Sequence, residues 1–359
     1  MSDRAAGDLT DPDDAAPGDA APVVTLQRHE WIEKIDRLCA EEGYFEPLGA
    51  HHHAFFHDDG PVLLVTFEPL ERILARKGQM PFGHSIALAN GWSHLTVICE
   101  GETWFRDPAV WGYFDRLVDD AFFEDFDRVL FFGAGACGYA ACAYSVCAPG
   151  ATVLAVSPRA TLDPAFAGWD RRNTSARRLD FLSRYGFAPD MTEGAERVYL
   201  IYDPLLPENA MHAALFRKPW VTPLPARHFG DTIETAIEMA DLLPDLLRAI
   251  FEDRLTPVTF ARLWRIRRRF LPYLKTILRK VETAGRPLLA LWVCRSVTRR
   301  LGGPRFRRRQ RELEHLLGQT NSLAGPDGTA APAATSAALI EANSTDAPTP
   351  DQTIDARPV

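Results

Sequence analysis

The sequence predicts an α/β fold: a mostly parallel sheet with helices on both faces, followed by a basic C-terminal helical appendage. Three observations predict it. Short, wholly apolar runs alternate with helical segments through the middle of the chain, which is how strands buried on both faces read. One of these runs, DRVLFFG, enters a Gly-rich turn and then a helix of small residues. After Asp231 the pattern is helical only.

Taken in order, residues 1–25 are acidic and rich in Ala, Pro and Asp. They offer too little apolar surface to offset ordering entropy and are expected to be disordered. A helix is expected over about 27–42, where Trp31, Ile35 and Leu38 recur at helical spacing and Gly43 ends it. The runs HHHAFFH, PVLLVTFE and SHLTVICE then read as strands, and HDDGP between the first two reads as a hairpin at an antiparallel edge. A helix over DPAVWGYFDRLVDDAFF leads to the strand DRVLFFG and a helix through Tyr144. Next come the strands TVLAVSP and RVYLIYD, a helix near Glu208–Phe216, and the strand WVTPL. The main domain is therefore expected over 26–250, a basic helical appendage over 251–317 and a second disordered tail over 318–359. Pro257 and Pro287 near helix starts, and Gly285, Gly302 and Gly303 near helix ends, fit the helical reading.

Composition narrows the setting. No segment approaches the roughly 18 consecutive apolar residues a membrane span needs, and the N-terminal stretch lacks the basic-then-apolar order of a signal peptide. The six cysteines (Cys39, Cys99, Cys137, Cys142, Cys147, Cys294) are scattered without a CxxC pair. Reduced thiols in the cytoplasm are expected, with neither a metal nor a cofactor. The formal net charge of −8 conceals an asymmetry. Between Arg254 and Arg311 there are 18 Lys/Arg and one acid, Glu282, which leaves about −25 elsewhere.

The informative stretch is DRVLFFGAGACGYAACAYSVCAPGATVLAVSPRATLDP. An apolar strand, a tight turn and an immediate helix are what a nucleophile elbow requires. The segment GAGACGYAA resembles the GxSxGGYAA elbow of a branch of the α/β-hydrolase-like superfamily, several members of which are associated with surface polysaccharide loci. The pattern of Ser157, Pro158, Leu162 and Asp163 after the next strand is similar too. Over most of residues 27–317 the chain also resembles alphaproteobacterial proteins commonly labelled phosphoadenosine phosphosulfate reductase. The SGGxDS-like pyrophosphate loop and the ECG-like cysteine of such reductases have no counterpart here.

The resemblance puts Gly133 at the first glycine, Gly135 at the nucleophile and Cys137 at the closing glycine. An elbow apex has positive φ, which costs a non-glycine residue roughly 1–3 kcal/mol and glycine almost nothing. Gly135 thus keeps the turn and deletes the attacking oxygen. The order of the remaining triad members implies Asp203, at a strand end, as the acid and His228 as the base. The backbone N–H groups of Ala136 and of the loop near Phe67 and Glu68 are the implied oxyanion donors. Cys137, in the first turn of the helix, is an alternative nucleophile if the helix dipole lowers its pKa; its other reading is a space-filling residue. Cys142 and Cys147 read as core.

Other candidates have plainer readings. Glu208 and His212, four apart, read as a surface pair or as support for a site. His51, His52, His53 and His57 alternate between strand faces, so only two or three can converge, too few for a metal. Trp104, Phe105 and Tyr139 read as core or cleft wall, with a sugar platform as the weaker reading. Arg265, Arg267, Arg268, Arg269, Arg279 and Lys280, then Arg305, Arg307, Arg308, Arg309 and Arg311, fit a nucleic acid, an anionic membrane face, an acidic polymer or a solvated cap paired with the acidic domain. Three functions follow. The first is a catalytically degenerate scaffold binding a small carbonyl or anionic ligand, or a partner, in the cleft above the elbow. The second is an ester or thioester hydrolase or acyltransferase using Cys137 or a water activated by His228. The third is the reductase of the resembling set.

Overall fold

The computed structural model describes residues 28–39 and 43–323. The expected N-terminal tail and residues 324–359 of the expected C-terminal one lie outside the described residues. Eight strands are present: β1 (Gly43–Leu48), β2 (His52–His57), β3 (Val62–Pro69), β4 (Ser93–Cys99), β5 (Arg128–Ala134), β6 (Thr152–Val156), β7 (Arg197–Tyr202) and β8 (Val221–Pro225). The helices are α1 (Arg28–Cys39), α2 (Leu70–Ala75), α3 (His84–Asn90), α4 (Pro108–Asp119), α5 (Ala136–Tyr144), α6 (Pro164–Ala167), α7 (Ala188–Met191), α8 (Pro207–Leu215), α9 (Ile233–Met239), α10 (Leu243–Phe251), α11 (Pro257–Leu263), α12 (Leu271–Thr283), α13 (Pro287–Leu301) and α14 (Pro304–Leu323).

One sheet runs β1-β2-β4-β3-β5-β6-β7-β8. β2 is antiparallel to both its neighbours, and every pair from β4–β3 to β7–β8 is parallel. A single reversed strand near one edge of an otherwise parallel sheet, with β4 inserted between β2 and β3, is the α/β-hydrolase-type architecture. The central strands β3, β5 and β6 are mostly apolar because both faces are covered. Leu63, Val65, Phe131, Val153 and Ala155 pack under α4 and α5. Their alternating neighbours Leu64, Leu130, Phe132, Leu154 and Val156 pack under α9 and α10.

The expected hairpin between β2 and β3 is not formed. Both strands pair with β4 instead, and the antiparallel edge is a β1–β2 hairpin. The local reason is Ser93 at the start of β4. Its Oγ donates to Asp58 Oδ1 (2.8 Å) and accepts from the N–H groups of Asp59 and Gly60 (3.0 and 3.1 Å), pinning the HDDGP turn across the end of β4. β1, which contains Glu46 and Pro47, has no apolar run, so nothing in its pattern predicts a strand.

The core also continues past residue 251. Leu255, Phe260, Trp264 and Phe270 belong to the apolar cluster beneath α9 and α10. Beyond it, α12, α13 and α14 pack around a separate core that includes Leu274, Leu291, Cys294, Val297, Phe306 and Leu313. No helix among the described residues is long and apolar enough to cross a membrane.

Candidate functional site

β5 ends at Ala134, and the chain turns through Gly135 (φ 58°, ψ −118°) into α5. The Gly135 N–H donates to Val156 O of β6 (2.9 Å), and its own carbonyl accepts from Tyr139 N–H (3.0 Å), closing the first helical turn. Two glycines make the turn possible for a different reason. A Cβ on Gly133 would stand 2.1 Å from the Cys137 carbonyl oxygen, and one on Gly138 would stand 3.1 Å from the Gly133 carbonyl oxygen. A Cβ on Gly135 would meet nothing within 4 Å. The apex is therefore glycine without steric need for it, and only its positive φ favours that choice. Gly133→Ala is expected to cost roughly 3 kcal/mol or more, and Gly135→Ala about 1 kcal/mol. Chemical unfolding of both variants checks the order, and equal losses would refute this account.

Above the apex lies a cleft of about 260 Å³ lined by Pro69, Cys99, Glu102, Trp104, Phe105, Gly135, Ala136, Cys137, Arg159 and Asn173. Pro69 ends β3, Cys99 ends β4, Gly135 follows β5, and Arg159 follows β6. The cleft thus sits at the carboxyl ends of adjacent parallel strands, where connections leave the sheet in opposite directions and ligands of open α/β sheets bind. A larger depression, about 440 Å³, lies at the amino ends of β5, β6 and β7, around Arg128, Thr152 and Glu196. It lacks that topological advantage. The wall of the elbow cleft is strained: consecutive Trp104 and Phe105 have φ of 54° and 58°. Such conformations cost roughly 1–3 kcal/mol each and persist where surrounding packing enforces them. Here Tyr144 Oη donates to Phe105 O (2.6 Å), and Trp104 packs edge-on against Tyr139 and Phe181.

The residues expected to form a triad stand as follows. Asp203, buried at the end of β7, accepts the N–H groups of Leu205 (2.9 Å) and Gly230 (2.8 Å). His228 has φ 70°, and its Nδ1 accepts from Lys280 Nζ of α12 at 3.0 Å. That nitrogen is the one a triad carboxylate would hold. Burial, then Lys280, pushes the His228 pKa down, with Asp203 opposing. The imidazole lines a separate cavity with Pro225, Phe260, Trp264 and Tyr273, and it is not among the residues lining the elbow cleft. Phe67 and Glu68, expected in a loop, are strand residues paired with Val97 and Ile98. Phe67 is stacked in the core, and the Glu68 carboxylate accepts Phe82 N–H and pairs with Arg76. The cleft-lining residue there is Pro69, which has no N–H to donate. Ala136 lines the cleft as expected. Burial raises the Cys137 thiol pKa well above its ordinary value, so the thiolate a nucleophile needs is disfavoured.

A buried charged cluster behind the cleft escaped the sequence reading. Asp170, 2 % exposed, accepts from Arg172 at 2.9 and 2.6 Å and from His212 Nε2 at 2.9 Å. Arg159 Nε lies 3.4 Å from the same carboxylate. Asn209 Oδ1 accepts from Arg172 (2.7 Å) and Arg159 (3.4 Å). His212 is not a surface residue: it is fully buried, and its Nδ1 accepts Ala160 N–H at 3.1 Å, which fixes the neutral tautomer with the proton on Nε2. Two guanidinium groups share one buried carboxylate, and burial followed by Arg172 lowers the Arg159 pKa against the pull of Asp170. Arg159, nine-tenths buried in the cleft wall, therefore carries an under-compensated positive charge. Asn209 and His212, three apart on α8, were the available signal, because their spacing puts both on one helix face.

The histidine run of β1–β2 divides as strand geometry requires. His52 bonds Thr103 (2.8 Å), while His53 stacks on Phe45. Among the described residues no group of three or more His, Cys, Asp or Glu side chains is placed to hold a metal ion.

No protein-family model matches the chain, and none of the curated proteins matches its sequence. Solved structures with a similar arrangement include carboxyl esterase 2 from the mycorrhizal fungus Tuber melanosporum, 14 % identical over 59 % of this chain and 84 % of that one, with a TM-score of 0.39. The capsule O-acetyltransferase of Neisseria meningitidis serogroup A is 9 % identical over 60 % and 99 %, also at 0.39. An S-formylglutathione hydrolase from Agrobacterium tumefaciens is 12 % identical over 56 % and 89 %, at 0.36. Likeness at this level carries no functional argument, and the fold assignment stands on the strand order and the turn after β5.

Proposed function

We propose that this chain is a catalytically degenerate α/β-hydrolase-type protein that binds a small ligand bearing a carboxylate or comparable anionic group in the cleft above Gly135. The observation that carries the reading is a glycine at the apex of an intact elbow, where the space for a serine side chain is open. Arg159 supplies the charge for an anion, and the N-terminal turn of α5 adds its partial positive charge from the same wall. Trp104 and Phe105 supply apolar surface, and the Glu102 carboxylate in the lining disfavours an anion beside it, so the ligand's anionic group belongs at Arg159. Acyl transfer lacks support: the Cys137 thiol is held protonated by burial, and the His228 Nδ1 is engaged by Lys280.

Two measurements test the reading. Intact-protein mass spectrometry after brief exposure to p-nitrophenyl acetate and butyrate is expected to show no acylation. Thermal unfolding with acetate, succinate and inorganic phosphate is expected to reveal one anion that raises the midpoint by several degrees near a hundredfold excess over its Kd, an effect lost in Arg159→Gln. An acyl adduct that maps to Cys137 and vanishes in Cys137→Ala would overturn the binding-only reading in favour of a relocated nucleophile.

A further inference from the structure

The outward face of α13 combines two features that rarely share a solvated helix. Its inward residues Ala290, Leu291, Cys294 and Val297 form the core with α12 and α14. On the other side Leu288, Leu289 and Trp292 are 60, 41 and 65 % exposed. Residues 288, 292, 295 and 299 follow one another at spacings of four, three and four, so Leu288, Trp292, Arg295 and Arg299 form a single stripe along the helix. Arg286 precedes it. The stripe is thus apolar at its N-terminal half and cationic at its C-terminal half, with another arginine at the apolar end.

Several of this region's arginines pair within it. The ion pairs of Arg309 with Glu282 and Glu312, of Arg308 with Glu312 and of Arg295 with Glu314 all stay within α12–α14. Exposed Arg265, Arg269, Arg279, Arg286, Arg299 and Arg311 have no ion-pair partner among the described residues. A nucleic-acid duplex rewards such arginines at its phosphates, but its stacked bases offer no partner to an exposed Leu-Leu-Trp group. An anionic bilayer rewards both, because leucine and tryptophan enter the headgroup–acyl boundary while arginine reaches lipid phosphates.

We propose that α13 lies in the interface of an anionic lipid bilayer, with Leu288, Leu289 and Trp292 inserted and Arg286 and Arg299 against lipid phosphates. The helix rests on the membrane and does not span it, in keeping with its length and its arginines. The surface is independent of the elbow cleft, so the two readings stand or fall separately.

Sedimentation of the full chain with sucrose-loaded vesicles tests the proposal, comparing phosphatidylcholine alone with a mixture of about one third phosphatidylserine. Binding is expected only to the mixture, and it is expected to weaken as salt rises. Combining Arg286→Gln with Arg299→Gln is expected to lower partitioning about 25-fold, five-fold for each charge. Leu288→Ala with Trp292→Ala is expected to lower it on the order of ten-fold. Circular dichroism and thermal midpoints should be unchanged in both variants, since all four side chains are exposed. The proposal is overturned if the wild-type chain does not sediment with the anionic vesicles at low salt, or if neither double variant weakens binding. It is overturned equally if the chain binds duplex DNA, unaffected by the Trp292 change, and ignores the vesicles.

Discussion

An Asp170→Ala chain is expected to lose roughly 3–5 kcal/mol of stability, the usual consequence of removing one partner from a buried ion pair. The carboxylate is the only anion in contact with both Arg159 and Arg172 in the buried cluster, and it also accepts from His212. Deleting it leaves two guanidinium groups facing each other behind the cleft, one of them nine-tenths buried. Asp231 makes a useful control. It lies 3.9 Å from Arg172 but its side chain is 73 % exposed, so Asp231→Ala is expected to change stability by less than about 0.5 kcal/mol. Urea unfolding followed by circular dichroism reads both. Similar midpoints for the two variants would mean that the cluster does not hold the cleft wall together.

Stability is also expected to fall steeply with acid, beginning near pH 6.5. His212 and His52 are fully buried, and burial above all pushes both down to about 4. For His212, Asp170 opposes the fall without reversing it. Between pH 6.5 and 4 the unfolded chain takes up protons that the folded imidazoles refuse, so the stability present above pH 6.5 is lost as pH drops toward 4. Each of these histidines contributes about 3 kcal/mol to that loss, a large part of a typical total of roughly 5–15 kcal/mol. Asp170 extends the trend. Burial alone would raise its pKa, but the hydrogen bonds from Arg172 and His212 together outweigh burial and hold it well below the usual carboxylate range. Its contribution is therefore present above about pH 4 and disappears below that. Thermal midpoints at pH 7, 5.5 and 4.5 check the expectation, and His212→Gln should flatten the slope between the first two. A flat profile from 7 to 4.5 in the unaltered chain would refute it.

Much of the fold was legible because strands buried on both faces must be apolar throughout and must be separated by helices long enough to cross over. Leu63–Val65, Val129–Phe132 and Val153–Val156 satisfy that condition without help from the rest of the chain. The HDDGP turn was misleading for a related reason: its residues favour a hairpin locally, and nothing near them in sequence says that Ser93, more than thirty residues on, will capture the turn. Where the C-terminal helices leave the main core was not legible for a similar reason. Apolar spacing reports that Phe260 and Trp264 lie on a helix face, but not which core that face joins.

The sequence by itself determined the alternation of strands and helices and the glycine turn after β5, because a tight positive-φ turn between a strand and a helix needs its glycines at fixed offsets. Only the tertiary structure decided the chemistry around that turn. It set Lys280 against His228, left Pro69 where a second N–H donor was expected, and gathered Arg159, Asp170, Arg172, Asn209 and His212 from separate connections into one buried cluster. Those contacts depend on how loops beyond β6 and β7 fold over the strand ends. The desolvation that fixes their protonation states exists only once that packing is complete.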